Sequence, residues 1–326
     1  MKPLPAMCAR GESGFAARWV CLLLLVGWML QVSVPGIARA QVSVSVSIPP
    51  LAMIVEAVGG DMVSVDTLLP PGASPHGFEP TPRTVRRLAD ARLVVTIGSG
   101  LDPWTERLIR AVGPDTRQLV VSDHVPLAHA DGADAAGRHD DEHADEHGAG
   151  HDHGGRDPHF WLDPVLVAEH VVPAVAAALG AVAPEHGALF QERARDARAW
   201  LMALNEEIAQ TLAPVAGRPF VAFHGTWNYL ARRYGLTPVA AISPAPGREP
   251  SARWMGHVIE TARETGARVI LVEPQFNDRL ARTISGQFGG HVVTADPLGG
   301  VGTPGGPTYD GLMRFNAGVL REALAP

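Results

Sequence analysis

From Gln41 onward, short β-branched runs alternate with stretches in which apolar residues recur every three or four positions. The run VSVSVSI has strict two-residue alternation, which is typical of a strand, and Pro49 and Pro50 suit the start of a helix. The strand pattern returns in MVSVDTLL, RLVVTIG and QLVVS, with the helical patterns TPRTVRRLADA and DPWTERLIRAV between them. This order predicts a parallel sheet covered by helices.

A second series of the same kind occupies the C-terminal part of the chain. Its strand patterns are PFVAF, TPVAAI, ARVILVE and HVVTAD, and a helix from Tyr309 closes it. Between the two series, apolar residues spaced by threes and fours predict one long amphipathic helix over about 184–213. The predicted fold class is therefore α/β, with two lobes of parallel sheet flanked by helices and bridged by one long helix.

The first forty residues differ from the rest. Two arginines precede an apolar run over about 19–34, and small residues end the segment IARA. The run is shorter than the roughly 20 apolar residues of a membrane-spanning helix, so a cleaved signal peptide is favoured over an anchor. We expect a periplasmic protein with no membrane-spanning run further along. The predicted divisions are 1–40 (signal peptide), 41–183 (first lobe), 184–213 (bridging helix) and 214–326 (second lobe).

The first lobe contains a polar insertion over about 130–156. It consists largely of Gly, Asp, Glu and His without apolar periodicity, so it buries too little apolar surface to offset the entropy of ordering. We interpret it as a mobile loop whose histidines could bind zinc weakly but not in one fixed geometry. These accessory candidates are His139, His143, His147, His151 and His153.

Charge and cysteine content narrow the function. The chain has 27 Lys and Arg against 34 Asp and Glu, and its net charge is −7. Without 1–40, which holds four basic residues and one acidic residue, the charge falls to about −10; this disfavours nucleic acid or an anionic membrane as partner. Both cysteines, Cys8 and Cys21, lie in the leader, so the mature chain has no disulfide.

Four polar side chains lie in loops near predicted strand ends or helix starts. His76 is in a Gly/Pro-rich loop, His224 and Asp296 directly follow strands, and His159 precedes a helix. Ligands gather at the carboxyl ends of parallel strands, and three imidazoles with one carboxylate suit tetrahedral zinc better than manganese. Each residue alone has an ordinary explanation, since single loop histidines usually form hydrogen bonds and Asp296 before Pro297 suits a turn.

Six ordered segments resemble the metal-specific solute-binding proteins of ABC importers, and within them the zinc-binding branch. The segments are LLPPGASPHGFEPTP, DPHFWLDP, AFHGTWNYLARRYGL, ISPAPGREPSA, VEPQF and ADPLG. The resemblance implies that His76, His159 and His224 bind the metal in a cleft between the lobes. Asp296 matches a position where many members supply a carboxylate.

The resemblance also bears on the choice of metal. Manganese-binding members tend to have glutamate at the position of His224, so the imidazole here implies zinc. Glu249 and Glu273 match recurrent acidic positions, and we expect them to hold loops or orient ligands rather than bind metal. Ordinary hydrogen bonding at a helix start and a strand end is the alternative explanation for both. Some zinc-binding relatives have an acidic residue beside the first histidine, where this chain has Pro75, which leaves Asp296 or a water as fourth ligand.

The expected function is capture of Zn²⁺ as a transported ligand and its delivery to an ABC transporter permease. The protein is expected to be a monomer and not an enzyme, with a periplasmic metallochaperone as a second candidate partner. One alternative is a manganese or iron importer component. A zinc-dependent hydrolase is another, because three protein ligands with an open position are also a catalytic arrangement, but no HExxH motif occurs. A third is a metal buffer that stores zinc in the insertion.

Overall fold

The computed structural model describes residues 41–112, 116–129, 155–243 and 249–326. The predicted signal segment and the five accessory histidines lie outside these ranges. The strands are β1 (Val42–Val46), β2 (Val63–Thr67), β3 (Leu93–Thr96), β4 (Arg117–Val120), β5 (Pro219–Ala222), β6 (Thr237–Ala241), β7 (Val269–Val272) and β8 (His291–Thr294). The helices are α1 (Pro49–Gly59), α2 (Pro82–Ala89), α3 (Trp104–Val112), α4 (Pro164–Val182), α5 (Gly187–Leu212), α6 (Asn228–Tyr234), α7 (Ala252–Thr265), α8 (Arg279–Phe288) and α9 (Tyr309–Ala323).

The strands form two four-stranded parallel sheets with the same connectivity. Their orders are β2-β1-β3-β4 and β6-β5-β7-β8, and every pairing is parallel. In each sheet the second strand pairs with the first on one side, and the third strand pairs with the first on its other side. The switch points therefore lie between β1 and β3 and between β5 and β7, where open α/β sheets bind ligands at the carboxyl ends of strands. The predicted fold class is confirmed.

Local chemistry explains where several helices begin. Thr81 forms a capping box with Thr84, and the Ser251 and Thr308 hydroxyls each accept an amide of the first turn that follows. Asp163 does the same for α4, where its carboxylate accepts the next two free amides after Pro164. Because these caps lie in the sequence itself, helix starts are among the most predictable features of the fold.

The long helix α5 lies where its apolar spacing predicts it, with 26 residues and a single 3₁₀ turn at each end. Its stripe is buried at the predicted positions, Phe190, Ala194, Ala197, Leu201, Leu204, Ile208 and Leu212. The stripe packs on α1, α4 and α9 within one core cluster that also includes both sheets. A second, smaller cluster lies on the other face of the C-terminal sheet, beneath α7 and α8. Elements from both halves thus share one continuous core.

Helix α4 is long and apolar enough to cross a membrane, whereas the sequence analysis expected no further run of that kind. Among the described residues it alone meets the length and composition of a span, with a mean hydropathy of 1.9. More than half of that window is buried inside the protein, at 56%, and it packs against α1 and α5. Its apolar character is explained by its place in the core.

Candidate metal-binding site

Three histidines from three separate loops meet between the two sheets. His76 is in the 3₁₀ turn Pro75–Gly77, in the connection after β2. His224 lies two residues past the end of β5, and His159 precedes the turn Phe160–Leu162, which leads into α4. These loops place three side chains, distant in sequence, at one point.

The three imidazoles form a compact group. Their ring centroids are 5.5 Å apart for His76 and His159, 5.3 Å for His76 and His224, and 5.2 Å for His159 and His224. One ring nitrogen from each of the three residues lies within 4.8 Å of the other two. Among the described residues, these three histidines form the group that could hold a metal ion. Neutral imidazoles at such separations can surround a zinc ion at its usual Zn–N distance of about 2.0–2.1 Å.

In His76, one of the two ring nitrogens has no hydrogen-bond partner among the described residues. This nitrogen, Nε2, is buried. Burial, with added repulsion from His159 and His224 when they carry a proton, lowers the pKa of His76 to about 2. Its ring is therefore neutral at physiological pH, with its lone pair free for a metal. The indole of Trp104 holds the turn by donating from Nε1 to the Pro75 carbonyl at 2.9 Å.

A carboxylate lies behind His159. The Nδ1–H of His159 donates to Oδ1 of Asp157 at 2.8 Å, and its backbone N–H donates to the same oxygen at 2.9 Å. Asp157 is only 3% exposed. A histidine that donates from Nδ1 to a carboxylate has its lone pair on Nε2, as many zinc ligands do. Sequence reasoning missed Asp157, although it stands two residues before His159 in the motif DPHFWLDP.

A second carboxylate lies behind His224. The Nδ1–H of His224 donates to Oε1 of Glu273 at 3.0 Å, and the Thr226 hydroxyl donates to the same oxygen at 3.0 Å. Glu273 is fully buried, and its Oε2 has no hydrogen-bond partner among the described residues. Glu273 follows β7 and His224 follows β5, so this pair occupies the switch point of the C-terminal sheet. This contact supports the role expected of Glu273, which stays a prediction.

Asp296 is not part of the three-histidine group. Its Oδ1 accepts the backbone amides of Leu298 and Gly299 at 3.1 and 2.9 Å, and its Oδ2 accepts that of Gly305 at 3.0 Å. A Cβ at Gly305 would lie only 3.0 Å from Oδ2, which shows how closely the loop wraps this carboxylate. The carboxylate thus shapes the glycine-rich loop after β8.

Glu249 is the remaining residue with a predicted role near the site. Glu249 is exposed, and no hydrogen bond described for it reaches the histidines, so its orienting role stays a prediction. Trp161 and Trp227 are buried, and Trp161 also donates from Nε1 to the Pro297 carbonyl at 2.8 Å.

Two parallel-sheet units joined by a long helix, with three imidazoles converging between them, define a metal-specific solute-binding protein. A family model described as ZnuA, zinc-uptake complex component A, periplasmic, matches residues 44–323. The chain belongs to this family. Its members are solute-binding proteins for metal transport rather than enzymes, and the description implies an extracytoplasmic location.

Individual relatives agree with the family. The high-affinity zinc uptake system protein ZnuA of Paracoccus denitrificans is 32% identical over 307 residues, which cover 88% of this chain and 93% of that protein. The zinc-binding lipoprotein AdcA of Streptococcus pneumoniae is 28% identical, over 93% of this chain but only 59% of AdcA. A crystal structure of a ZnuA deletion mutant with zinc bound superposes with a TM-score of 0.73, at 28% identity, and covers 88% of this chain and 99% of that one.

These findings confirm the family and its function in zinc uptake. They do not favour a manganese or iron importer component or a zinc-dependent hydrolase.

Proposed function

We propose that this protein captures one Zn²⁺ ion with the Nε2 atoms of His76, His159 and His224 and delivers it to the permease of an ABC importer. The observation that carries the proposal is the convergence of three imidazoles whose ligand nitrogens lie within 4.8 Å of one another. The buried, unpartnered Nε2 of His76 supports it, because a buried polar atom without a partner costs about 1–3 kcal/mol that a metal bond would offset.

A water completes the coordination shell in this proposal. Asp296 directs both carboxylate oxygens at backbone amides, so binding a metal would require the loop after β8 to rearrange. The surroundings of the site also suit a cation, because the carboxyl groups of Asp157 and Glu273 lie buried directly behind two of the imidazoles.

The proposal includes the domain divisions and the location. Residues 1–40 are a signal peptide whose cleavage releases the mature chain to the periplasm, and 184–213 bridge lobes at 41–183 and 214–326. The protein acts as a monomer, since one chain supplies all three histidines. The weak accessory sites of the insertion and a metallochaperone partner stay predictions.

Equilibrium dialysis with metal analysis tests the ligand set. Wild type should retain one tightly bound zinc per chain, and His224→Ala should lose it. His257→Ala is the matched control, because His257 is exposed on α7 and outside the site. Tight stoichiometric zinc binding by His224→Ala would contradict the assignment of His224 as a zinc ligand. A competition series with Mn²⁺ on wild type tests the selectivity that three nitrogen ligands imply.

A further inference from the structure

Asp157 has more partners than an orienting carboxylate needs. Besides the two bonds from His159, its Oδ2 accepts the side-chain amide of Asn228 at 3.1 Å, and its backbone carbonyl accepts the Tyr229 hydroxyl at 3.1 Å. Burial raises the pKa of Tyr229 to about 12, so this hydroxyl remains a donor. The backbone N–H of Asp157 donates to the Ala128 carbonyl at 3.1 Å.

Asn228 and Tyr229 begin α6, the helix that follows the His224 loop. Asp157 therefore contacts one metal-site histidine with one oxygen and the segment that carries another with the second. Asp157 itself belongs to the N-terminal half of the chain, whereas α6 belongs to the C-terminal half. The contact crosses between the two halves at the site itself.

Other hydrogen bonds tie residues 157–163, the segment that contains Asp157 and His159, to the C-terminal half of the chain. The Arg233 guanidinium, also on α6, donates from Nε to both oxygens of Asp163 at 2.9 Å. The Tyr309 hydroxyl of α9 donates to the Trp161 carbonyl at 2.7 Å. Thus 157–163 is held by the half that carries His224, although it lies before α4 in sequence. The turn of His76 is instead held by Trp104 of the N-terminal half.

We infer that Asp157 is a positioning residue that joins His159 to the His224 segment, so that these two imidazoles are assembled before zinc arrives and His76 completes the site. The inference rests on the proposed ligand set. Zinc affinity then depends on Asp157 although it does not touch the ion. Removing a carboxylate behind a zinc-bound histidine typically costs about 10–100-fold in metal affinity.

The test compares Asp157→Ala and Asp157→Asn with wild type by zinc competition against a chromophoric chelator. Asp157→Ala should weaken zinc binding by about 10–100-fold. Asp157→Asn keeps an oxygen that can accept the Nδ1–H, so it should restore part of the loss. Asn228→Ala breaks only the second tie and should cost less than Asp157→Ala. Asp66→Asn is the matched control, because that carboxylate binds Arg87 away from the site and should leave zinc affinity unchanged.

A second measurement separates positioning from simple loss of fold. Cobalt absorption bands report ligand geometry, so the cobalt complex of Asp157→Asn should show altered band intensities while the metal-free melting temperature stays near that of wild type. Wild-type affinity in Asp157→Ala would overturn the inference. So would equal losses in both Asp157 variants with an unchanged cobalt spectrum. His159→Ala in the same assay tests the ligand set separately, because tight zinc there would refute the proposed function itself.

Discussion

The lowered pKa of His76 predicts a specific dependence of stability on pH in the metal-free protein. In the unfolded chain this imidazole takes up a proton near pH 6.5, whereas burial in the folded protein prevents protonation until about pH 2. Between those values the unfolded state binds more protons than the folded state. The contribution of His76 is therefore fully present above about pH 6.5 and is lost as the pH falls toward 2.

The magnitude follows from the size of the shift. One bound proton gives a slope approaching about 1.4 kcal/mol per pH unit, which amounts to about 2 kcal/mol between pH 7 and pH 5. Local opening of the 3₁₀ turn would allow His76 to take a proton without global unfolding, so this value is a ceiling.

Urea unfolding at several pH values, with metal removed by a chelator, measures the effect. His76→Gln removes the titrating group. Between pH 7 and pH 5 its free energy of unfolding should therefore fall by less than that of wild type, and the difference between the two falls should be up to about 2 kcal/mol. His257→Gln, which removes an exposed imidazole, should follow wild type. Parallel stability curves for wild type and His76→Gln would refute the reasoning.

Three further predictions concern the surroundings of the site. Arg233→Ala should lower the free energy of unfolding by about 1–3 kcal/mol, because the nearly buried Asp163 loses a partner; Arg314→Ala, at an exposed pair, should cost under about 1 kcal/mol, and equal losses in urea titrations would contradict this. Trp104→Phe removes an indole donor from the turn of the first histidine and should lower the melting temperature by about 2–4 °C and weaken zinc binding; calorimetry in which neither changes would show that the turn does not depend on this bond. Removal of 130–154 should leave one tight zinc site in isothermal titration and abolish only weak binding, and loss of the tight site would place essential ligands in the insertion.

The insertion deletion takes its limits from the structure. His129 and Arg156 pair as an isolated antiparallel bridge, and the N–H of Asp157 donates to the carbonyl of Ala128. A cut that spares these residues keeps the base of the insertion closed and leaves His159 in place.

Local patterns in the sequence were sufficient for the elements of the fold. The alternation in β1, the apolar stripe of α5 and the cap at Asp163 each depend on residues a few positions apart, so they can be read along the chain. The convergence of His76, His159 and His224 was also predictable, because parallel strands bring their carboxyl ends to one edge and the resemblance identified the three loops.

Burial on both faces of a strand could not be read in this way. The alternation of Val and Ser in β1 suits a strand with one polar face, yet Ser45 is only 1% exposed, because β1 is a central strand of its sheet. The high apolarity of α4 similarly acquires its meaning from the helices that cover it.

The sequence by itself determined the elements, their parallel order and the three histidines, since these follow from short-range periodicity and recognisable motifs. Only the tertiary structure decided how each polar group is used. It joined Asp157 to Asn228 and His224 to Glu273 across 71 and 49 residues, and it directed Asp296 at backbone amides instead of the histidines. Hydrogen bonds and desolvation depend on which atoms meet in space, and for groups so far apart along the chain, that is set by the packing of the two sheets around one core.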